Sequence, residues 1–449
     1  MTWLGFRRPD GSFGVRNHVL IVPGGIVADE ICHFVRGTRI LVTPQTPAGR
    51  TKADRETFAR VYTGLAKNPN VASVIVNGAA TGRDYPEAVS EHLAEEIRKS
   101  GKRVEVLSPD TSDTIALIGK GIKLARELVW DASKLRREPC ADSHLALGVK
   151  CGSSDPTSGI AGNPVIGYVY DKLVKAGGTA FFGENTEIIG AEHVLAKHAI
   201  NREVAEEILR VANKTDELAK AAGQDIRTIN PVPANIKAGI STLEEKSLGA
   251  IHKAGSMPIQ GVLRYAEIPK GRGLYFVDNW MWTLSIFLGY AAAGAQVVLY
   301  QLGGGGVGGD FIFYQTGGLV APLMWCSANP KTLQMGGWNL DYYSGTIIEG
   351  KETIDEVGER LYRTVLDVAS GTMTRSETVN HTDPNEIYTR EPVFTRASTH
   401  ASRLDRLRSP SQVFPAALKE ELPRLNRANT VIVAAWSKAK MAIRNRLAA

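Results

Sequence analysis

Three short stretches carry side chains able to bind anions, hold a cation and move protons. Lys150-Cys151-Gly152 opens the segment KCGSSDPTSGIAGN (150–163), Glu184 and Glu187 flank Asn185-Thr186, and Asp278 ends LYFVD (274–278). The small residues after Lys150 let a ligand approach the backbone, and the amides there can face an anion at a helix start. Lys150, Gly152, Ser153, Asp155 and Asn163 are therefore candidate substrate-binding residues. Cys151 suits either a metal ligand or a buried thiol. Glu184 and Glu187 suit a hard cation or general acid–base work, and equally a solvated loop running into a helix. His193 follows nearby, but His198 is five residues further on, so the two do not share a helical face as a zinc-protease pair would. Thr242 and Glu245 have capping-box spacing, which gives Glu245 a structural role. Lys246 and Lys237 are left as possible partners for a substrate carboxylate. Gly303-x-Gly305-x-x-Gly308 has the dinucleotide-fingerprint spacing, but the Phe311–Tyr314 run behind it is strand-like rather than helical. A backbone anion nest using Gly304 and Gly305 is the better expectation, and NAD binding is disfavoured.

These residues share a position: each follows an apolar run, and in open α/β sheets ligands bind beyond the carboxyl ends of the strands. Strand-like runs occur at His18–Val22, Arg39–Thr43, Val71–Asn77 and Arg103–Leu107, with helical patterns between them at Arg55–Ala66 and Pro86–Lys99. A second series comprises Leu145–Val149, Ala180–Phe182, Gly261–Tyr265, Leu274–Val277, Gln296–Leu302 and Leu319–Trp325. Asn163-Pro164 reads as an N-cap with proline in the first helical position, and Gly177 closes that helix. Further helices are expected over Arg202–Ala222 and Asp355–Ala369, ended by Gly223 and Gly371. The alternation predicts an α/β protein with two doubly wound, mostly parallel domains, over residues 1–135 and 140–380. Residues 130–142 read as a linker, and residues 381–449 as an irregular, basic C-terminal extension.

Composition narrows the function classes. The 449 residues are 43% hydrophobic and 22% charged, which is ordinary for globular chains. The most apolar stretch, Trp280–Leu299, is broken by Gly289 and Gly294 and reads as a helix followed by a strand, so no membrane span is expected. Arg7, Arg8 and Asp10 precede any apolar run, which argues against a signal peptide. Four cysteines without CxxC spacing suggest reduced thiols and a cytoplasmic protein. The net charge of +6 comes from the tail: residues 391–449 hold eleven Lys/Arg against four Asp/Glu. No aromatic interleaving or nucleic-acid motif accompanies it, so a solvated or docking segment is expected rather than nucleic-acid binding.

Several segments together resemble the altronate/galactarate dehydratase family. They are GFRRPDGSFGVRNHVLIVP (5–23), ALGVKCGSSDPTSGIAGNPVIG (146–167), GENTEIIGAEH (183–193), ISTLEEKSLGAIHKAG (240–255) and LYFVDN (274–279), with weaker matches at Asp341, Gly345, Gly371 and Glu377. The resemblance spans roughly residues 5–380. It implies a lyase that dehydrates sugar acids with a divalent metal, usually iron, and the family also includes the large subunit of sulfolactate sulfo-lyase, which eliminates sulfite. Either reaction needs α-proton removal, enediolate stabilisation and departure of a β-substituent from a small acidic substrate. By motif, Glu184, Glu187, His193, Lys246 and Asp278 are implied as catalytic and Cys151 and Glu377 as metal ligands. Two family segments are altered. Thr46-Pro47-Ala48-Gly49-Arg50 stands where His-x-x-Gly-Cys is usual, and Ala80-Thr81-Gly82 where Gly-Cys-Glu is usual. Arg50 and Arg83 add positive charge there, which would suit an anionic substrate without a metal. The chain starts at the opening signature, so a separate small subunit is expected, as is a homo-oligomer. The rival expectations are a non-catalytic relative that binds an acidic metabolite or serves in assembly, and a nucleotide-linked enzyme.

Overall fold

The computed structural model describes residues 2–43, 45–80, 89–110, 113–305, 318–379, 381–382 and 385–389. Strands β1 (Thr2–Arg7) and β2 (Phe13–Gly14) pair antiparallel at the start. Strands β3 (His18–Val22), β4 (Thr38–Ile40), β5 (Val71–Asn77) and β6 (Arg103–Leu107) form an all-parallel sheet in the order β4-β3-β5-β6. Strand β7 (Arg137–Ala141) then returns to pair antiparallel with β1. The stretch expected to be a linker is thus the end of the helix Thr114–Ser133 and a sheet strand. Its polar, proline-containing sequence is compatible with a strand because β7 has a neighbour on one side only, where proline and charge are tolerated.

The second sheet carries the residues of interest. Strands β8 (Ala146–Gly152), β9 (Thr179–Phe182), β10 (Ile259–Arg264), β11 (Gly273–Asp278), β12 (Val297–Leu302), β13 (Leu323–Ser327) and β14 (Tyr342–Tyr343) lie in the order β10-β11-β9-β8-β12-β13-β14. Every pairing in it is parallel. β9, β11 and β12 are buried along their whole length, as strands covered by helices on both faces should be. On one face the helices Asn163–Lys175 and Ile354–Ala369 contribute Val165, Val169, Leu173, Leu361 and Val365 to one core. On the other, the helix Thr283–Ala293 shares a core with the helix Lys52–Lys67 of the first sheet through Ile286, Leu288, Phe58, Val61 and Leu65. Gly64 is needed there, because a Cβ at that position would lie 2.3 Å from the Ala292 carbonyl oxygen.

The strand order reverses at β8, where the chain continues to β9 on one side and later to β12 on the other. That switch point opens a crevice at the carboxyl ends of β8, β9 and β12. The helix beyond β8 does not start as expected. A π turn over Ser158–Gly162 runs directly into it, so Asn163 is itself helical and its side chain donates to the Gly249 carbonyl at 3.0 Å instead of capping. The other helix ends follow the sequence: Gly177, Gly223 and Gly371 all have positive φ, and Thr353 caps the last long helix. Part of the expected extension lies on the body, where Ile387 is fully buried and Tyr388 meets Tyr265 edge-on. The rest of it lies outside the described residues.

Candidate active site

β8 brings Lys150 and Cys151 to the crevice, and the turn after β9 brings Glu184 and Glu187 to meet them. Glu184 has left-handed backbone geometry, φ 75° and ψ 76°, which costs a side-chain-bearing residue about 1–2 kcal/mol. Three bonds hold it there: Glu184 N–H donates to Asn279 Oδ1 at 3.0 Å, Asn185 N–H to the Asn279 carbonyl at 3.0 Å, and Glu187 N–H to the Glu184 carbonyl at 2.8 Å. The twist turns the Glu184 carboxylate toward β8, where it accepts from the Cys151 amide at 3.1 Å. The Cys151 thiol donates to Glu187 Oε2 at 2.8 Å.

Three lysines surround this pair of carboxylates. Lys253 Nζ contacts Glu184, lies 3.0 Å from Glu187 Oε2 and 3.1 Å from Cys151 Sγ. Lys150 Nζ is 3.1 Å from Glu184 Oε1, and Lys246 Nζ is 3.4 Å from Glu187 Oε1 while donating to Asn230 Oδ1 at 2.7 Å. All of these residues are at most 6% exposed. Burial opposes ionisation of Glu187, but Lys253, Lys246 and Lys150 outweigh it and hold the carboxyl well below the usual carboxylate range. Burial likewise opposes the charge on Lys150 and Lys253, yet Glu184 foremost for Lys150, and Cys151 with Glu184 and Glu187 for Lys253, raise both ammonium groups beyond the ordinary lysine range. Burial, reinforced by Glu184 and Glu187, pushes the Cys151 thiol up, so it stays protonated and acts as a donor.

A pocket of about 240 Å³ opens beside the cluster and is lined by Lys150, Gly152, Ser153, Glu187, Lys246 and Gly305 among others. A second, of about 230 Å³, lies on the other side of Lys246 and is bordered by Asp155, Asn163 and His252. The first is bordered by two of the lysines and a carboxylate, side chains of the kind that can hold a small anion and move a proton.

The fold thus gathers Lys150, Cys151, Gly152, Ser153, Glu184, Glu187, Lys246 and Gly305. Asp278 stands one step behind: its carboxylate accepts from Asn185 Nδ2 at 2.8 Å and so braces the turn bearing Glu184. Asp155 is also a brace. It accepts from the Gly304 amide at 2.9 Å, from Thr157 Oγ1 at 2.6 Å and from Asn329 Nδ2. The anion that the Gly304 amide meets is therefore the protein's own carboxylate, and the Gly305 amide donates to the Ser153 carbonyl at 2.8 Å. Three expectations are corrected. His193 is exposed on the short helix Glu192–Ala196, because that helix turns its apolar side, Leu195, inward. Glu377 forms a two-pronged ion pair with Arg16, both bonds at 2.7 Å, and is not a ligand of this cluster. Arg50 faces inward, donating to the Thr46 carbonyl and Thr389 Oγ1 at 2.9 Å each and stacking on Phe58. Glu245 keeps its expected structural role, with Thr242 capping the helix and the Glu245 carboxylate reaching back to accept from Ser241 N–H, so only the residue it reaches is one earlier than the capping-box spacing implies. Lys237 is exposed, and Arg83 lies outside the described residues.

Lys253 was not singled out from the sequence, nor was Asn230. The signal for Lys253 was present: it follows Lys246 by seven residues, two helical turns along one face, within the apolar setting SLGAIHKAG. A lysine repeated at that spacing among Leu, Ala and Ile is not a solvated surface pattern.

Cys151 Sγ and carboxylate oxygens of Glu184 and Glu187 all lie within 4.8 Å of one another, the grouping expected of metal ligands. Their geometry does not suit a divalent ion. The Cys151–Glu187 separation of 2.8 Å is a hydrogen-bond distance, whereas two ligands of a tetrahedral ion stand about 3.5 Å apart, given metal–sulfur and metal–oxygen bonds of about 2.3 and 2.0 Å. The Lys253 ammonium also sits against all three.

A buried lysine–carboxylate–thiol cluster thus lies at the switch point of a parallel sheet, beside a small pocket. Comparison with known proteins gives the family. Residues 142–390 match the family model described as D-galactarate/Altronate dehydratase, C-terminal, and residues 5–133 match D-galactarate dehydratase/Altronate hydrolase, second domain. The chain belongs to the galactarate/altronate dehydratase family. It is 33% identical over 403 residues to (2R)-sulfolactate sulfo-lyase subunit beta of Chromohalobacter salexigens, covering 88% of this chain and 97% of that one. It is 31% identical over 389 residues to altronate dehydratase of Bacillus subtilis, covering 84% and 75%. With galactarate dehydratase (L-threo-forming) of Escherichia coli the identity is 33% over 250 residues, covering 56% and 46%. These relatives are carbon–oxygen and carbon–sulfur lyases. No helix among the described residues is long and apolar enough to cross a membrane.

Proposed function

We propose that this protein is a lyase that removes a β-substituent, sulfite or water, from a small 2-hydroxy acid, and that it works as the large subunit of a two-component enzyme. The observation that carries this reading is the pairing of Lys150 and Lys246 with Glu187 along one small pocket. The two ammonium groups hold the substrate carboxylate and take up the negative charge that develops when its α-carbon loses a proton. Glu187, kept ionised by the surrounding lysines, receives that proton. The electron pair of the broken Cα–H bond forms the Cα–Cβ double bond as the β-substituent leaves. Sulfite departs as an anion and needs no acid, whereas a departing hydroxyl takes a proton from one of the pocket ammonium groups. The enol product then tautomerises to a 2-oxo acid. Cys151, by donating to Glu187, and Asp278, through Asn185, position the groups that act.

The chain aligns with almost the whole of a protein named as a subunit and with three quarters of the altronate dehydratase, which favours sulfite as leaving group and a separate small partner. The test is an assay of sulfolactate, altronate and galactarate, with sulfite and 2-oxo acid as readouts, using the chain alone and co-expressed with a small subunit. Sulfite release from sulfolactate that depends on the small subunit is expected. Failure to form a 2-oxo acid from any of the three, in either preparation, would overturn the reading.

A further inference from the structure

The cation that holds Cys151, Glu184 and Glu187 together is already part of the polypeptide. Lys253 Nζ meets all three side chains, and Lys253 is 2% exposed, closed in beneath the pocket rather than lining it. Three lysines face two carboxylates. Adding a divalent ion would therefore bury further positive charge in a region that already has an excess of it. It would also require the thiol–carboxylate hydrogen bond to open and the buried Lys253 ammonium to give up its contacts with Glu184, Glu187 and Cys151. We infer that Lys253 occupies the place a divalent metal would take, so that this chain's cluster works without a bound metal and Lys253 is its fixed positive charge.

Lys253 acts through Glu184 and Glu187, which makes it a positioning residue. The inference deepens the lyase reading, since it says how that site is assembled, but its test requires no turnover. Wild-type protein expressed in iron-supplied medium and purified without oxygen should contain less than about 0.1 equivalent of any divalent transition metal by elemental mass spectrometry. The same protein titrated with Mn²⁺ should show no stoichiometric site by electron paramagnetic resonance. Lys253→Ala leaves Cys151, Glu184 and Glu187 around a space of ammonium size, and it should gain one Mn²⁺ or Zn²⁺ per chain, lost again in Lys253→Ala/Cys151→Ala. Near-stoichiometric metal in the wild type that disappears in Cys151→Ala would overturn the inference. So would a folded Lys253→Ala that gains no metal. If Lys253→Ala does not fold, the wild-type metal content decides alone. Metal content speaks to the cluster and product formation to the lyase reading, so either can fail without the other.

Discussion

Two buried ionic clusters in this molecule look alike in composition and differ in what they leave unsatisfied. In one, Arg16 uses all five of its N–H donors: two on Glu377 at 2.7 Å, and three on the carbonyls of Val15, Val368 and Thr372 at 2.8–2.9 Å. Glu377 completes its own set with the Thr374 amide at 2.9 Å. Glu377 and Arg16 pair two bonds to two, and the remaining Arg16 donors are closed off by backbone carbonyls. In the other, three lysines share two carboxylates, two of the lysines and one carboxylate border a pocket, and the excess positive charge has no partner within the cluster. A saturated pair fastens distant chain segments; an unbalanced one beside a pocket is open to a ligand of opposite charge, which is the role proposed for the lysine cluster.

The sharpest way to break the comparison is to neutralise the carboxylate at the pocket. Glu187→Gln keeps the size but exchanges one acceptor oxygen for a donor and cannot accept the α-proton, so kcat should fall by about 10³-fold or more, within the usual range for loss of a general base. Circular dichroism should show the fold retained. A variant that keeps more than a tenth of wild-type kcat would remove Glu187 from the chemistry. The corresponding change in the closed cluster should act on stability instead. Glu377→Gln leaves the buried Arg16 guanidinium without its counter-charge and should cost about 3 kcal/mol in urea unfolding, near the lower end for breaking a buried pair. Its kcat per folded molecule should stay within twofold. A large loss of turnover with stability unchanged would restore Glu377 as a site residue.

What the sequence disclosed follows from where physical pattern is local. β3 and β5 fall where their apolar runs lie, because central parallel strands covered on both faces must be largely apolar, and the edge strand β6 keeps the alternation of its Val104, Val106 and Leu107 with Arg103 and Glu105. Glu184 and Glu187 were legible as carboxylates beyond a strand end, and Lys150 and Cys151 likewise. The left-handed turn at Glu184 was not, since Asn279, ninety-five residues away, holds it. β7 was missed because its residues are polar and its partner β1 is 133 residues or more upstream at each register position near its centre. Glu377 and His193 looked reactive because residue type travels with sequence and pairing does not. Lys253 carries a local signal, its apolar setting seven residues after Lys246, but the carboxylates that give it a role, Glu184 and Glu187, are 69 and 66 residues away.

The smallest expected effect lies near the closed cluster and sharpens the distinction between stability and rate. Asp341 accepts from the Trp325 amide and the Arg375 amide, both at 2.7 Å, yet burial outweighs these bonds and raises its carboxyl to about 6 from an ordinary 3.8. The folded chain therefore keeps a proton on Asp341 that the unfolded chain has already released between those values. Folding loses stability from this group as pH rises from about 4 to about 6, and the loss is complete above the folded value. A shift of this size corresponds to about 3 kcal/mol at most, reduced by the partial exposure of the side chain. Asp341→Asn should abolish that component: in urea titrations at pH 4 and pH 7, the wild type should lose more stability across the interval than the variant does. Because Asp341 belongs to the neighbourhood of Glu377 rather than to the pocket, the pH profile of kcat should be the same in both proteins. A shifted profile would tie this region to the reaction and blur the line between the two clusters.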